Sequence, residues 1–309
     1  MMLELQNISV SFSAGHGVQA VRDVSLSVPD GSKIAIVGET GSGKSVLLLA
    51  VLRLLPKTAA VSGSAVLDGR NLFSLSEKEL CAIRGSVISY VPQGGGSSMN
   101  PLYTVGYQVG EPLMEHRGYS RAQAFAASIP LLKRFSLGNE ERLAHAYPHT
   151  FSGGMRQRAM VAMGISAGSK IIFADEPTKG LDPRRVELVA ETLNLLENET
   201  LICVTHDLDF AAAISKTICV MYSGQQLESG DSAELLSNPL HPYTKAMVAA
   251  IPRNGMKVPP IFFKDAGTQD ESSGCSFRRR CPYATERCSE MPPMLDLENR
   301  KVRCWMYAD

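Results

Sequence analysis

The distribution of hydrophobic residues along the chain predicts a sheet of buried strands alternating with helices. Four short β-branched runs are each followed by polar or glycine-rich residues, at positions 33–37, 87–91, 171–174 and 201–204. Strands that are apolar throughout are typical of a parallel sheet covered on both faces. Ligands of such sheets bind beyond the carboxyl ends of the strands, so the residues directly after these runs are candidates for chemistry.

The remaining segments predict smaller parts around this core. Residues 3–29 and 64–67 alternate in the manner of strands, which predicts a small antiparallel sheet beside the parallel one. Residues 104–165 are mostly helical in pattern and form an insertion between the second and third core strands. After residue 230 prolines become frequent, and residues 267–274 form a polar linker that leads to a group of cysteines.

Composition and charge narrow the classes of protein that remain. The 309 residues contain 31 Lys and Arg and 31 Asp and Glu, and this balance disfavours a nucleic-acid binder. The richest apolar run, residues 46–55, contains Arg53 and ends at Pro56, well short of the roughly 20 residues that span a bilayer. The first ten residues do not resemble a signal peptide. We therefore expect a cytosolic chain that reaches a membrane only by docking on other subunits.

A phosphate-binding loop follows the first core strand. Eight residues fit the pattern G-x-x-x-x-G-K-[ST] between a predicted strand and an apolar helix: Gly38, Glu39, Thr40, Gly41, Ser42, Gly43, Lys44 and Ser45. The glycines let backbone N–H groups surround phosphates, and the helix N-terminus favours negative charge. Lys44 is expected to reach the β- and γ-phosphates, and the Ser45 hydroxyl to ligate Mg²⁺. The segment predicts ATP binding.

Two carboxylates follow the third core strand. Asp175 and Glu176 come directly after residues 171–174. Asp175 is the candidate for the Mg²⁺ shell, and Glu176 is the candidate general base that polarises the attacking water. Together with the phosphate loop, this pair predicts that the chain hydrolyses ATP.

A glycine-containing helix start resembles the signature motif of the ABC (ATP-binding cassette) ATPases. Phe151 and Met155 stand where the family usually has Leu and Gln, whereas Ser152, Gly153 and Gly154 are kept. Their hydroxyl and N–H groups suit anion binding. The resemblance implies that these residues contact the nucleotide held by an opposite subunit.

Other elements of the ABC family appear in the expected order. Gln93 resembles the Q-loop glutamine, which touches metal and water, and Asp182 lies in a segment similar to the D-loop. His206 resembles the switch histidine that contacts the γ-phosphate. Phe12 resembles the aromatic residue on which adenine stacks, with a core aromatic as the alternative. The resemblance covers residues 1 to about 236.

The resemblance implies a fold and a division of the chain. The fold is α/β: a P-loop NTPase of the ABC type with a parallel core sheet, a small antiparallel β subdomain and a helical subdomain at about residues 97–165. Residues 1–236 form the nucleotide-binding domain, and residues 237–309 a small cysteine-rich extension. The resemblance implies that one ATP is bound and hydrolysed by six residues of this chain, namely Lys44, Ser45, Gln93, Asp175, Glu176 and His206. The signature serves the ATP of a partner, and ATP closes the dimer.

Three segments narrow the resemblance to importers of oligopeptides, dipeptides and nickel, namely residues 100–111, 149–158 and 238–244. This implies two transmembrane permease subunits, a second ATPase that is usually a paralogue, and an extracellular solute-binding protein. The chain would then lie at the cytoplasmic face of the inner membrane.

The sequence departs from the family pattern at two places. Three glycines stand at 94–96, where Asp-Pro is usual, and Lys179-Gly180 precedes the D-loop.

Four cysteines near the C-terminus suggest a metal site, because cytosolic chains do not normally form structural disulfides. Cys275, Cys281, Cys288 and Cys304 resemble the cysteine-rich tail of the same importers, some of which carry a [4Fe–4S] cluster. Their wide spacing favours a cluster, while Zn²⁺ and free thiols stay open as alternatives. Five arginines either offset an anionic cluster or form a solvated basic face: Arg278, Arg279, Arg280, Arg287 and Arg303.

Two other functions compete with an importer ATPase. A soluble ABC protein acting on ribosomes or DNA usually carries two cassettes or a long coiled coil, and this chain has one cassette and no net charge. A regulatory cassette with little turnover of its own is disfavoured because Glu176 and His206 are intact.

Overall fold

The computed structural model describes residues 2–12, 17–93, 98–255 and 273–308. The chain divides into two compact units that interleave along the sequence. The first contains residues 28–33 and 74–205, and the second contains residues 2–27, 34–73 and 206–309.

The strands of the described residues are numbered in chain order. They are β1 (Leu3–Phe12), β2 (Val18–Val28), β3 (Lys33–Val37), β4 (Ala59–Leu67), β5 (Arg70–Asn71), β6 (Ile88–Val91), β7 (Ile171–Asp175), β8 (Thr200–Thr205), β9 (Thr217–Tyr222), β10 (Gln225–Asp231), β11 (Leu295–Leu297) and β12 (Arg300–Val302).

The α-helices are numbered in the same way. They are α1 (Lys44–Val51), α2 (Glu77–Ile83), α3 (Val105–Arg117), α4 (Arg121–Arg134), α5 (Glu140–Ala144), α6 (Gly153–Ser166), α7 (Pro183–Asn194), α8 (Leu208–Ile214), α9 (Ser232–Ser237) and α10 (Pro242–Ala249). Among the residues with described positions, no helix has the length and hydropathy to cross a membrane.

The first unit is built on three parallel strands. β6 pairs with β7, and β7 pairs with β8. Every residue of β7 and β8 is buried, which explains why these strands are apolar except at their ends. The predicted strands at 87–91, 171–174 and 201–204 are therefore confirmed.

Helices make up most of the rest of the first unit. α3 packs against α4 and α6 within the segment predicted to be a helical insertion. Ser120 begins α4 with a capping box, in which its hydroxyl accepts from the Gln123 N–H and the Gln123 side chain accepts from the Ser120 N–H. The predicted insertion of helices between the second and third core strands is confirmed.

The second unit contains the predicted antiparallel sheet. β1 and β4 are antiparallel, with Leu3 opposite Leu67 and Phe12 opposite Ala59, and β5 adds to β4. In the same unit β3 runs parallel to β9, and β9 is antiparallel to β10. The predicted strand at 33–37 is confirmed.

The C-terminal residues contribute to the same unit. β12 pairs with β10, with Glu228 opposite Val302, and β11 pairs with β12. Tyr243 and Phe277 are fully buried in a hydrophobic cluster that also holds Val37 of β3 and Leu235 of α9. The residues after 236 therefore share a core with strands that precede them.

Candidate functional site

The phosphate loop connects β3 to α1 in the second unit, as the sequence predicts. Gly43 has a φ of 92°, and a Cβ there would lie 2.1 Å from the Ala20 carbonyl oxygen, so both the backbone and the packing require glycine. Lys44 is 4% exposed, and its Nζ donates to the carbonyl oxygens of Gly38 at 2.8 Å and Glu39 at 2.9 Å. The loop thus folds around its own lysine, at the N-terminus of a helix.

Two further predicted site residues belong to the second unit. Phe12 is the last residue of β1 and is half-buried; the residues that follow it, 13–16, lie outside the described part of the chain. His206 is exposed directly after β8, and the next residue, Asp207, caps α8 by accepting from the Phe210 N–H at 3.0 Å. His206 is thus the first residue of the chain after β8.

The two acidic residues predicted to belong to the site, Asp175 and Glu176, lie in the first unit and are buried at the end of β7. Asp175 is the last residue of that strand and is 3% exposed, and Glu176 is 7% exposed. Glu176 has a φ of 45°, and its N–H donates to the Val204 carbonyl oxygen at 2.9 Å. A left-handed glutamate stores on the order of 1 kcal/mol of strain, and such strain concentrates at functional sites.

Tyr90 is a neighbour of this pair that the sequence did not single out. Its hydroxyl donates to Asp175 Oδ2 at 2.7 Å. Burial and this carboxylate together raise the pKa of Tyr90, so the phenol stays protonated and remains a donor. Tyr90 therefore fixes the orientation of the Asp175 carboxylate. A tyrosine in an apolar strand gives no sign of this in the sequence.

Gln93 lies two residues beyond β6 and is exposed. The three glycines that depart from the family pattern, at 94–96, lie outside the described residues. The second departure is visible: Gly180 has a φ of 75°, a left-handed conformation that glycine adopts at no steric cost.

The signature residues form the start of α6. The Ser152 hydroxyl accepts from the Met155 N–H at 3.3 Å, and Gly153 and Gly154 occupy the first turn. The N–H groups of this first turn point out of the helix, as the predicted anion-binding role requires.

Asp182, in the segment that resembles the D-loop, also caps a helix. Asp182 begins α7 by accepting from the Arg185 N–H at 3.2 Å, and its carboxylate pairs with the same arginine's Nε at 3.1 Å. Gln157 of α6 donates to the Pro177 carbonyl oxygen. This hydrogen bond ties the signature helix to the residue that follows Glu176.

The four C-terminal cysteines line one cavity in the second unit. Cys275, Cys281, Cys288 and Cys304 share a cavity of about 220 Å³ with His241. Burial raises the pKa of Cys275 to about 12, and the neighbouring thiols Cys288, Cys304 and Cys281 add to the shift. The described residues contain no group of three or more His, Cys, Asp or Glu that could hold a metal ion. This finding supports neither Zn²⁺ nor an iron–sulfur cluster at these cysteines.

The arginines near this cavity differ from the expectation. Arg280 and Arg303 are buried and pair with Glu39 and Asp23 in the same unit, so they are neither cluster counter-ions nor a solvated face. Arg287 lines the cavity and lies 4.0 Å from the centre of the Trp305 ring. The pattern of charges in the sequence could not distinguish the buried, paired arginines from the one that lines the cavity, because the carboxylate partners lie far away in the sequence.

Comparison with known proteins identifies the family. Residues 21–179 match the family model described as ABC transporter, and residues 227–288 match the oligopeptide/dipeptide transporter C-terminal region. The chain is 36% identical over 316 residues to the oligopeptide transport ATP-binding protein OppD of Haemophilus influenzae, covering 100% of this chain and 98% of that protein. It is 37% identical over 301 residues to OppD of Salmonella typhimurium, covering 95% and 90%. The chain belongs to the oligopeptide/dipeptide ABC transporter family.

A solved structure supports the fold of this ABC protein. The dimeric ATP-binding cassette MJ0796, bound to ADP and Pi, aligns with a TM-score of 0.65 and 28% identity, covering 74% of this chain and 98% of that one. The predicted P-loop ABC ATPase fold is confirmed. The chain is thus an ATP-hydrolysing importer subunit, and such subunits work with transmembrane permeases.

Proposed function

We propose that this chain hydrolyses ATP to drive the uptake of peptides through a membrane permease. The observation that carries the proposal is the phosphate loop opening α1, in a chain whose β7 ends in the buried pair Asp175 and Glu176. Lys44 neutralises developing charge on the γ-phosphate, and Ser45 and Asp175 hold Mg²⁺. Glu176 accepts the proton of the attacking water.

The remaining nucleotide contacts follow from the family pattern. Gln93 contacts the metal and the attacking water, and His206 contacts the γ-phosphate. Phe12 stacks on adenine. Backbone N–H groups of the phosphate loop surround the phosphates. The start of α6, where Ser152 precedes Gly153 and Gly154 of the first turn, supports the assignment of the signature to a nucleotide held by a partner.

The proposed partners and location follow from the same family. The partner ATPase is a paralogue, and an extracellular solute-binding protein delivers solute to two permease subunits. The chain then lies at the cytoplasmic face of the inner membrane. The named relatives are oligopeptide or peptide transporters, which favours peptides over nickel. They also favour an importer over a ribosome- or DNA-directed ABC protein or a regulatory cassette.

The decisive test is Glu176→Gln in the assembled transporter. We expect retained ATP binding and a loss of turnover of about 10²- to 10⁴-fold, because the amide cannot accept the proton of the attacking water. Glu187→Gln, on the exposed face of α7, is the matched control. Turnover of Glu176→Gln within a few fold of the control would remove the assigned role.

We further propose that the cysteine cavity holds a [4Fe–4S] cluster rather than Zn²⁺. Four thiols around one cavity of about 220 Å³ fit a group larger than a single ion. When bound, the cluster supplies iron–thiolate cross-links between segments of the extension and one-electron redox chemistry.

Anaerobic purification followed by iron and acid-labile sulfide assays tests this proposal. We expect about four of each per chain. Cys288→Ser should lower both values, whereas Cys81→Ser, at an exposed cysteine outside the cavity, should leave them unchanged. Zinc without sulfide, or no metal at all, would contradict the proposal.

A further inference from the structure

The second residue of the phosphate loop is held by a side chain from the C-terminal extension. Arg280 Nη1 donates to Glu39 Oε2 at 3.1 Å, and Arg280 Nη2 donates to Glu39 Oε1 at 3.2 Å. This is a bidentate pair between planar groups, the geometry in which arginine binds a carboxylate most specifically. Both residues belong to the second unit, although 241 positions separate them.

The backbone of the same residue has a second anchor. The Glu39 N–H donates to the Tyr243 hydroxyl at 3.1 Å. Tyr243 is fully buried, and its ring lies 4.8 Å from the ring of Tyr222. A phenol fixed in a packed core is a rigid acceptor, so the position of Glu39 is defined at both its side chain and its main chain.

Contacts other than the one with Glu39 also fix the position of the Arg280 side chain. Its side chain is 8% exposed, its Nη1 donates to the Tyr222 hydroxyl at 3.2 Å, and its guanidinium lies 5.7 Å from the centre of the Phe277 ring. Little rotamer freedom therefore remains to be lost when the ion pair forms. This distinguishes the pair from an ordinary surface salt bridge, which orders two mobile side chains.

The anchored residue is also a partner of the phosphate-binding lysine. Lys44 Nζ donates to the carbonyl oxygen of Glu39 at 2.9 Å. Gly41 and Gly43 have positive φ values and no Cβ to restrict the backbone, so without an anchor part of the free energy of ATP binding would be spent on ordering the loop. An anchor at Glu39 orders part of the loop before ATP binds, so less of the free energy of binding is spent on ordering it.

We propose that Arg280 and Tyr243 are positioning residues that hold the phosphate loop in its binding shape through Glu39. The C-terminal extension is then part of the ATP site without touching the nucleotide. The inference rests on the proposed binding of ATP at this loop.

The test measures KM for ATP and kcat of the assembled transporter carrying Arg280→Ala. We expect KM to rise about three- to tenfold, as for the loss of a hydrogen-bonded partner, with kcat changed by less than about twofold. Arg279→Ala is the matched control, since it removes the same charge from the neighbouring exposed position. An unchanged KM in Arg280→Ala at unchanged melting temperature overturns the proposal.

Two further variants separate positioning from general stability. The exchange Glu39→Arg with Arg280→Glu restores the pair in reverse, and we expect its KM to lie closer to wild type than that of either single variant. If the KM of the double variant instead rises by the product of the increases in the two single variants, Glu39 and Arg280 do not act through each other and the proposal is overturned. If Arg280→Ala does not fold, Tyr243→Phe tests the proposal instead, because it removes the hydroxyl that accepts from the Glu39 N–H and keeps the buried ring. An unchanged KM for ATP in Tyr243→Phe contradicts the proposal.

The control reactions distinguish this inference from the function on which it rests. A wild-type transporter that neither binds nor hydrolyses ATP would refute the proposed function. A wild-type transporter with normal ATPase activity, combined with unaffected variants, would refute only the positioning role.

Discussion

A buried ion pair in the second unit makes a quantitative prediction about stability. The Glu228 side chain is 0% exposed and pairs with Arg300, whose side chain is 9% exposed. Glu228 Oε1 also accepts from the Leu240 N–H at 3.0 Å, and Oε2 accepts from the His241 N–H at 2.8 Å. The pair thus joins β10, β12 and the residues that begin α10.

The expected effect of Arg300→Ala follows from this burial. The substitution leaves a buried carboxylate with two backbone N–H donors and without the arginine that neutralises it. Breaking a buried pair in this way costs about 3–5 kcal/mol. For a chain of this size, that loss lowers Tm by roughly 5 to 10 °C.

The neighbouring residue provides the control. Lys301 pairs with Asp296 at 3.6 Å, and the two side chains are 54% and 73% exposed. Such a pair contributes at most about 1 kcal/mol, so Lys301→Ala should leave the denaturation midpoint nearly unchanged. Both variants remove one positive charge from the same strand and therefore share every long-range effect.

Urea unfolding followed by circular dichroism, with a thermal scan beside it, measures the difference. A double variant, Glu228→Gln with Arg300→Met, removes both charges and should recover more than half of the loss. The reasoning is refuted if Arg300→Ala is no less stable than Lys301→Ala, or if the double variant is less stable than Arg300→Ala.

Two other predictions concern the first unit and the cysteines. Tyr90→Phe removes the donor that orients Asp175, so the Mg²⁺ concentration for half-maximal ATPase activity should rise about three- to tenfold; an unchanged value contradicts this role. Burial raises the pKa of Cys219 to about 12 and also raises that of Cys203. Iodoacetamide at about pH 8 should therefore label the exposed Cys81 in the native protein, and should label Cys203 and Cys219 only after unfolding. Mass spectrometry of the alkylated peptides measures the labelling of each cysteine.

The sequence predicts the parts whose chemistry or burial restricts residue choice. β7 and β8 are apolar except at their ends because both faces of a parallel sheet are covered, and this makes them recognisable. The phosphate loop is recognisable because backbone geometry and charge restrict the choice of residues at Gly43 and Lys44.

The parts that escaped prediction depend on contacts between distant residues. β12 has only three residues, two of them charged, and it forms a strand by pairing with Glu228 and Ser229 of β10. The partner of Arg280 lies 241 positions away, and nothing near the arginine in the sequence identifies it. Tertiary packing decides these features.

The contact between Arg280 and Glu39 has a consequence for evolution and engineering. Separate family models match residues 21–179 and 227–288, which suggests two interchangeable modules. A chimera that combined this cassette with an extension lacking the arginine would lose a tether on its own phosphate loop. The reverse chimera would bury a guanidinium without its carboxylate. The two positions should therefore be inherited, and exchanged, as a pair.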